Sequence, residues 1–147
     1  MKLCLVCSAG GHLTEMKQLE DFYSRYDHFF VTLRKHDTKD FREKAYFIID
    51  PQRNPVKFIL NALQSLGILL KENPGIIVST GAGMAIPFCW IGKMFGKKIM
   101  FIESFCRIEE PSLSGKLVYP VSDLFLVQWK EQLKKYGKKA EYHGSVF

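Results

Sequence analysis

Two glycine-rich turns, each directly behind a short apolar run, restrict this chain to a narrow set of folds. The first is Cys4-Leu5-Val6-Cys7-Ser8-Ala9-Gly10-Gly11-His12-Leu13-Thr14-Glu15. The second is Ile76-Ile77-Val78-Ser79-Thr80-Gly81-Ala82-Gly83-Met84-Ala85-Ile86-Pro87. Strand, small-residue turn, then helix is the unit from which open α/β sheets build anion sites. Backbone N–H groups and the positive helix end both point into the crevice. Ligands in such sheets bind outside the carboxyl ends of the strands. Two such turns predict one shared crevice with a phosphate-bearing ligand in it.

The rest of the chain keeps the same alternation. Strands are expected near 2–7, 28–33, 46–49, 75–79, 98–102 and 123–127, with a short one near 140–142. Helices are expected near 12–23, 55–71, 83–95 and 129–136, with a weaker one near 113–119. Uninterrupted apolar runs such as Ile99-Met100-Phe101-Ile102 and Leu124-Phe125-Leu126-Val127 read as parallel strands buried on both faces. Pro55 suits a first helical turn, while Lys71 and Pro74 close the same helix. No repeat, low-complexity tract or linker divides the 147 residues. The expected fold is one doubly wound, Rossmann-like α/β domain over 1–147, with a mostly parallel sheet flanked by helices.

The net charge of +6 favours an anionic partner, though a solvated basic face fits it equally. Aromatic and basic residues do not interleave as in single-strand binders, so nucleic acid is disfavoured. Cys4 and Cys7 form a C-x-x-C inside a strand, where positions three apart face opposite sides. They therefore read as buried structural thiols, not as metal ligands or a redox pair. No metal or cofactor is expected. Met1-Lys2 leads straight into a strand without a secretory signal, which places the chain in the cytosol.

The helix at 56–70 has an unusual pattern. Lys57, Asn61, Gln64, Ser65 and Lys71 share one narrow stripe, while Phe58, Ile59, Leu60, Ala62, Leu63, Leu66, Leu69 and Leu70 fill the remaining arc. That arc is on the order of 200°, against little over ~100° for a helix lying on a sheet. The excess must be covered by a neighbouring helix, a bilayer interface or a partner protein. The segment is too short and interrupted to span a bilayer. If the cover is a membrane, Phe58, Ile59, Leu63, Leu66, Leu70 and the nearby Trp90 are its contact residues.

The first turn lacks the dinucleotide fingerprint, and Leu33 is followed by Arg34 and Lys35 instead of an acid. A nicotinamide-dependent oxidoreductase is therefore disfavoured. His12, at the mouth of the turn, can serve as a general base, donate to a phosphate, or simply face water. Glu15 is either a site residue or a first-turn acid that answers the helix dipole. Glu103-Ser104 ends a strand on the same carboxyl edge, and Arg107 follows. A carboxylate and an arginine there suit a sugar hydroxyl and a phosphate, or pair with each other.

Taken together, these segments carry a resemblance. Ser8 to His12 with Glu15, Ser79 to Gly83 with Ile86-Pro87, Phe101-Ile102-Glu103-Ser104, and Gly115 to Pro120 with Asp123 and Gln128-Trp129 are similar to the Alg-fourteen-like family of oligosaccharide biosynthesis proteins. Its bacterial type acts in capsular and exopolysaccharide assembly. The resemblance covers nearly the whole chain. It implies the N-terminal half of a GT-B glycosyltransferase such as MurG. It also implies a separate Alg-thirteen-like subunit that binds the UDP-sugar donor, and a lipid-linked pyrophosphate sugar as acceptor. By the same resemblance, Gly10, Gly11 and His12 lie on the glycine loop facing the acceptor, and Ser79 to Gly83 on the second loop of that crevice. With the reading of the residues above, Ser8, Gly10, Gly11, Glu15, Ser79, Thr80, Gly81, Gly83, Ser104 and Arg107 are the expected acceptor or phosphate ligands, and His12 and Glu103 the candidate catalytic groups. A peripheral position on the cytoplasmic face of the membrane follows. A pure adaptor and a stand-alone nucleotide-binding enzyme are the alternatives.

Overall fold

Apolar runs with no polar interruption become strands when helices cover both of their faces. In the computed structural model, which describes residues 1–147, seven strands built largely around such runs lie parallel in one sheet. They are β1 (Lys2–Cys7), β2 (Asp27–Thr32), β3 (Ala45–Phe47), β4 (Ile76–Gly81), β5 (Lys98–Ile102), β6 (Leu124–Leu126) and β7 (Ala140–Glu141). Their order is β3-β2-β1-β4-β5-β6-β7. The chain winds outward in both directions from β1 and β4, so the topological switch lies between these two strands. The expected doubly wound Rossmann-like sheet is therefore the fold found.

The helices are α1 (Gly11–Lys17), α2 (Glu20–Tyr23), α3 (Pro55–Glu72), α4 (Ala85–Met94), α5 (Leu113–Val118) and α6 (Glu131–Tyr136). The single helix expected over 12–23 is instead two. Its last turn tightens as Gln18 and Leu19 bond back to Glu15 and Met16 at 3.1 Å, and the chain restarts at Glu20 with Tyr23 turned into the core. One core of 21 buried residues joins alternate strand positions, Cys4, Val6, Phe29, Val31, Ile77 and Phe101 among them, to α3, α4 and α5. A second core of nine, including Leu3, Leu5, Cys7 and Phe30, packs beneath α1 and α2. Cys4 and Cys7 thus lie on opposite faces of β1 as free, buried thiols. Burial raises the pKa of both, that of Cys7 to about 12.

α3 begins where Asn54 accepts the Val56 and Lys57 N–H groups at 2.9 and 3.1 Å, and it ends at left-handed Asn73. Its orientation explains the odd pattern. The polar stripe faces inward: Asn61 Nδ2 donates to Ile49 O at 2.7 Å, Ser65 Oγ to Asn61 Oδ1 at 3.2 Å, and Gln64 accepts the Ile49 N–H at 2.9 Å. Much of the apolar arc is left outside, with Ile59, Leu63 and Leu70 60–62% exposed, while Leu69 is buried in the core. No neighbouring helix covers these exposed positions. Phe58 is exposed as well, while Leu66 is half-buried. Next to α3, α4 adds exposed Trp90 and Met94, and Phe95 just past its end is exposed as well. No helix is long and apolar enough to cross a membrane.

At the far end of α3, buried Glu72 accepts bonds from Lys44 Nζ at 2.8 Å, Lys2 Nζ at 3.1 Å and the Tyr46 hydroxyl. Lys44 and Tyr46 hold its carboxyl down at about 2, against the opposing pull of burial. A depressed carboxyl stabilises the fold fully above the ordinary Glu value of about 4.3, and that contribution is lost as the pH falls toward the folded-state value. Wild-type thermal stability is therefore expected to drop between about pH 4.5 and 2, and Glu72→Gln to lower it near neutrality and flatten that acid limb. Melting curves across this range check the expectation. Parallel acid limbs in the two proteins would refute it.

Candidate functional site

The turn after β1 starts at Gly10, whose φ of 90° a side chain would strain, and delivers Gly11 and His12 to the first turn of α1. The turn after β4 is set by a register shift: Val6 pairs with Ser79 but Cys7 with Gly81, so Thr80 is the extra residue. Thr80 Oγ1 then donates to His12 O at 2.8 Å, tying the two turns together. Gly81, at φ 114°, lies under the imidazole; a Cβ there would meet His12 Cε1 at 3.2 Å. Ala82 follows at φ 80°, a strained conformation for a residue with a Cβ, right at the mouth of the crevice.

The crevice itself is a cavity of about 510 Å³ at the switch point, where ligands enter doubly wound sheets. Gly11, His12 and Glu15 reach it from α1, Gly83 and Ile86 from the start of α4, and Ser104 and Arg107 from the loop after β5. Of the residues expected from sequence, Gly11, His12, Glu15, Gly83, Ser104 and Arg107 therefore converge. Ser79 and Thr80 are buried behind the wall and, with Gly81, position His12. Ser8 is half-buried and does not line the cavity. Gly10 also departs from expectation. Its N–H is not free for a ligand, because Asp37 Oδ2 accepts it at 2.6 Å.

Glu103 must be corrected more strongly. It is 1% exposed, and its carboxylate accepts bonds from the Ser104 N–H at 2.9 Å, the Ser112 N–H at 3.1 Å, Ser112 Oγ at 3.0 Å and the Tyr136 hydroxyl. It does not line the crevice, so it is placed to position the 104 and 112 loops and not to touch a substrate. Nor does it pair with Arg107.

His12 and Glu15 stand side by side in the crevice. Glu15 Oε1 accepts Ser104 Oγ at 2.7 Å and the Phe105 N–H at 3.0 Å. Its Oε2 lies 3.5 Å from His12 Nδ1, and neither of these buried atoms has another partner. Burial alone would raise the Glu15 carboxyl. The His12 ring, Ser104 and the Phe105 N–H outweigh it and hold the group below its usual value, so it is a carboxylate. A carboxylate behind Nδ1 fixes the ring and leaves Nε2 for a ligand.

Several site residues were not legible in the sequence. Ser112, Leu113 and Ser114 line the crevice at the start of α5, as do Ala82 and Cys106. Ser112 accepts the Gly115 N–H at 2.8 Å, an N-cap that the Ser-x-Ser before a helical run does signal. Buried Gln132 donates to Arg107 O and Ile108 O at 3.1 and 3.0 Å, and Trp129 Nε1 to Phe105 O at 2.8 Å. Together they pin the arginine loop. The crevice thus combines one oriented imidazole, one arginine outside any ion pair and three converging helix starts. That set suits an anionic group beside a hydroxyl that must lose a proton.

The family model described as "Oligosaccharide biosynthesis protein Alg14 like" matches residues 51–146. The UDP-N-acetylglucosamine transferase subunit alg14 of Schizosaccharomyces pombe is 45% identical over 78 residues, 50% of this chain and 37% of the yeast protein. The Homo sapiens subunit ALG14 is 26% identical across 99% of this chain and 83% of its own length. Against the yeast relative the matched region is thus well under half of the whole protein. Acinetobacter baumannii MurG superposes with a TM-score of 0.79 at 9% identity, over 97% of this chain and 45% of MurG. UDP-N-acetylglucosamine 2-epimerase from Rickettsia bellii superposes at 0.78 and 13%, over 99% and 45%. At such identities the likeness establishes the fold, the Rossmann-like half of GT-B enzymes, and does not choose a reaction. The sequence match does establish the family: the chain belongs to the Alg14-like oligosaccharide biosynthesis proteins.

Proposed function

We propose that this chain is the acceptor-side subunit of a two-component UDP-N-acetylglucosamine transferase. The observation that carries the reading is the His12–Glu15 pair facing Arg107 across the switch-point crevice, in a chain whose relatives are named as subunits of that transferase. Arg107 and the helix starts take the pyrophosphate of a lipid-linked sugar, and His12 Nε2 takes the proton from its acceptor hydroxyl. The donor comes from a separate subunit, for which an Alg-thirteen-like chain is the natural candidate. The exposed face of α3 and α4 rests on the cytoplasmic surface of a membrane, which brings the crevice to a lipid-borne substrate. The relatives above are eukaryotic and lend no support to a restriction to capsular or exopolysaccharide assembly.

The test is turnover. The purified chain, given UDP-N-acetylglucosamine and a lipid pyrophosphate sugar in micelles, is expected to transfer nothing. Adding a purified donor-binding subunit should produce transfer. Robust turnover by the chain alone would overturn the two-component reading and favour a stand-alone enzyme.

A further inference from the structure

A second basic cavity lies one strand over from the crevice. After β2 the chain turns through His36–Thr38, and this turn is rigid: buried Thr38 Oγ1 accepts the Lys35 N–H at 2.8 Å and lies 2.9 Å from Leu33 O. From it Arg34, Lys35, His36 and Lys39 surround a cavity of about 510 Å³, with Phe41 and Phe47 as its apolar wall. That volume falls within the usual range for small-ligand sites, about 300–1,000 Å³.

The lining of this cavity is basic without an acid in it, and none of its four basic side chains forms an ion pair. Elsewhere Lys2, Lys44, Lys93, Lys98 and Lys135 each sit within 4 Å of an acid. The nearby acids Asp37, Asp40 and Glu43 line an adjoining cavity that shares His36 and Phe41, where Asp37 accepts the Gly10 N–H. The Arg34 guanidinium lies 4.9 Å over the Phe47 ring, which fixes its plane and leaves its N–H fork for an oxyanion. Gathering like charges on a rigid turn is unfavourable unless an anion relieves it.

We infer that this cavity is a second anion site, which takes the diphosphate group of a ligand between Arg34, Lys35, His36 and Lys39. It is separate from the His12–Arg107 crevice and does not rest on the transferase reading. A free nucleoside diphosphate and a lipid phosphate headgroup share the recognising chemistry.

Inorganic pyrophosphate is the probe. Titrated into the full chain by calorimetry at low salt, it should bind, and Arg34→Ala with Lys39→Ala should raise its Kd at least ~10-fold. Both positions are exposed, so an unchanged melting temperature is the fold control. The Arg107 crevice is proposed above to take pyrophosphate as well, so both titrations are repeated in an Arg107→Ala background, where the ~10-fold weakening by Arg34→Ala with Lys39→Ala should persist. Competition then names the source: displacement by UDP points to a nucleotide, displacement by phosphatidylglycerol vesicles to a headgroup, and either supports the site. No binding to wild type, or binding that the double variant does not weaken, would overturn it. So would a weakening by the double variant that disappears in the Arg107→Ala background.

Discussion

His12→Ala, in the chain reconstituted with a donor-binding subunit, is expected to lower kcat by at least ~100-fold while assembly and donor binding stay unchanged. A positioned general base contributes roughly 100- to 10,000-fold, and His12 is positioned from three sides. Glu15 Oε2 stands 3.5 Å behind Nδ1, Thr80 Oγ1 holds the His12 carbonyl at 2.8 Å, and Gly81 leaves room for the ring. Glu15→Gln keeps the shape but removes the charge behind the ring. It should reproduce a smaller part of the same kcat loss. Arg107→Ala should behave differently and raise the acceptor KM with kcat largely preserved, because a charge-assisted phosphate contact holds substrate and transition state alike. If His12→Ala changes only the acceptor KM, the imidazole is a phosphate ligand and not a base. If it changes neither kcat nor KM, the chain is an adaptor and the crevice is not where transfer is assisted.

How far this site could be read from the sequence depended on how local its determinants are. The two glycine turns and the strands behind them are local features, and the parallel sheet, its switch point and the position of His12 followed from them. Glu103 shows the limit. Its place at the carboxyl end of β5 was legible, but its burial depends on Tyr136 and Ser112, 33 and nine residues away. Nothing in the local pattern announces a carboxylate that will be spent holding loops together. Gly10 failed as a free donor for the same reason, since its partner Asp37 arrives from 27 residues downstream. Ser79 and Thr80 are of the right chemical type for a ligand loop. The extra residue at Thr80 turns their side chains to backbone groups instead. For α3 the periodicity was plain but its facing was not. A stripe with Asn61, Gln64 and Ser65 reads as the wet side until Ile49 O, Ile49 N–H and Met84 O are seen to need those partners.

That inverted facing leads to the other large effect expected. Ile59→Glu with Leu63→Glu should lower the fraction of the chain bound to anionic vesicles by at least ~10-fold in a sedimentation assay. Both side chains are about 60% exposed and neither faces the sheet, so the protein should keep its circular dichroism spectrum and melting temperature. Fully burying one such side chain is worth about 1.5–3 kcal/mol. Losing two partial burials and adding two charges therefore exceeds the ~1.4 kcal/mol that makes a tenfold change. Trp90 and Met94 on α4 and Phe95 just after it are further exposed apolar side chains, and Lys116 is an exposed cation on α5. Such a surface with no cover in the chain itself is rare in soluble monomers. Leu66→Glu alone is a poorer probe, because Leu66 is half-buried and a charge there also strains the fold. A folded double variant that sediments as wild type does would show that the bilayer is not the cover. If that variant instead fails to co-purify with the donor-binding subunit, the face of α3 and α4 is the protein interface of the pair, and lipid reaches the crevice by another route.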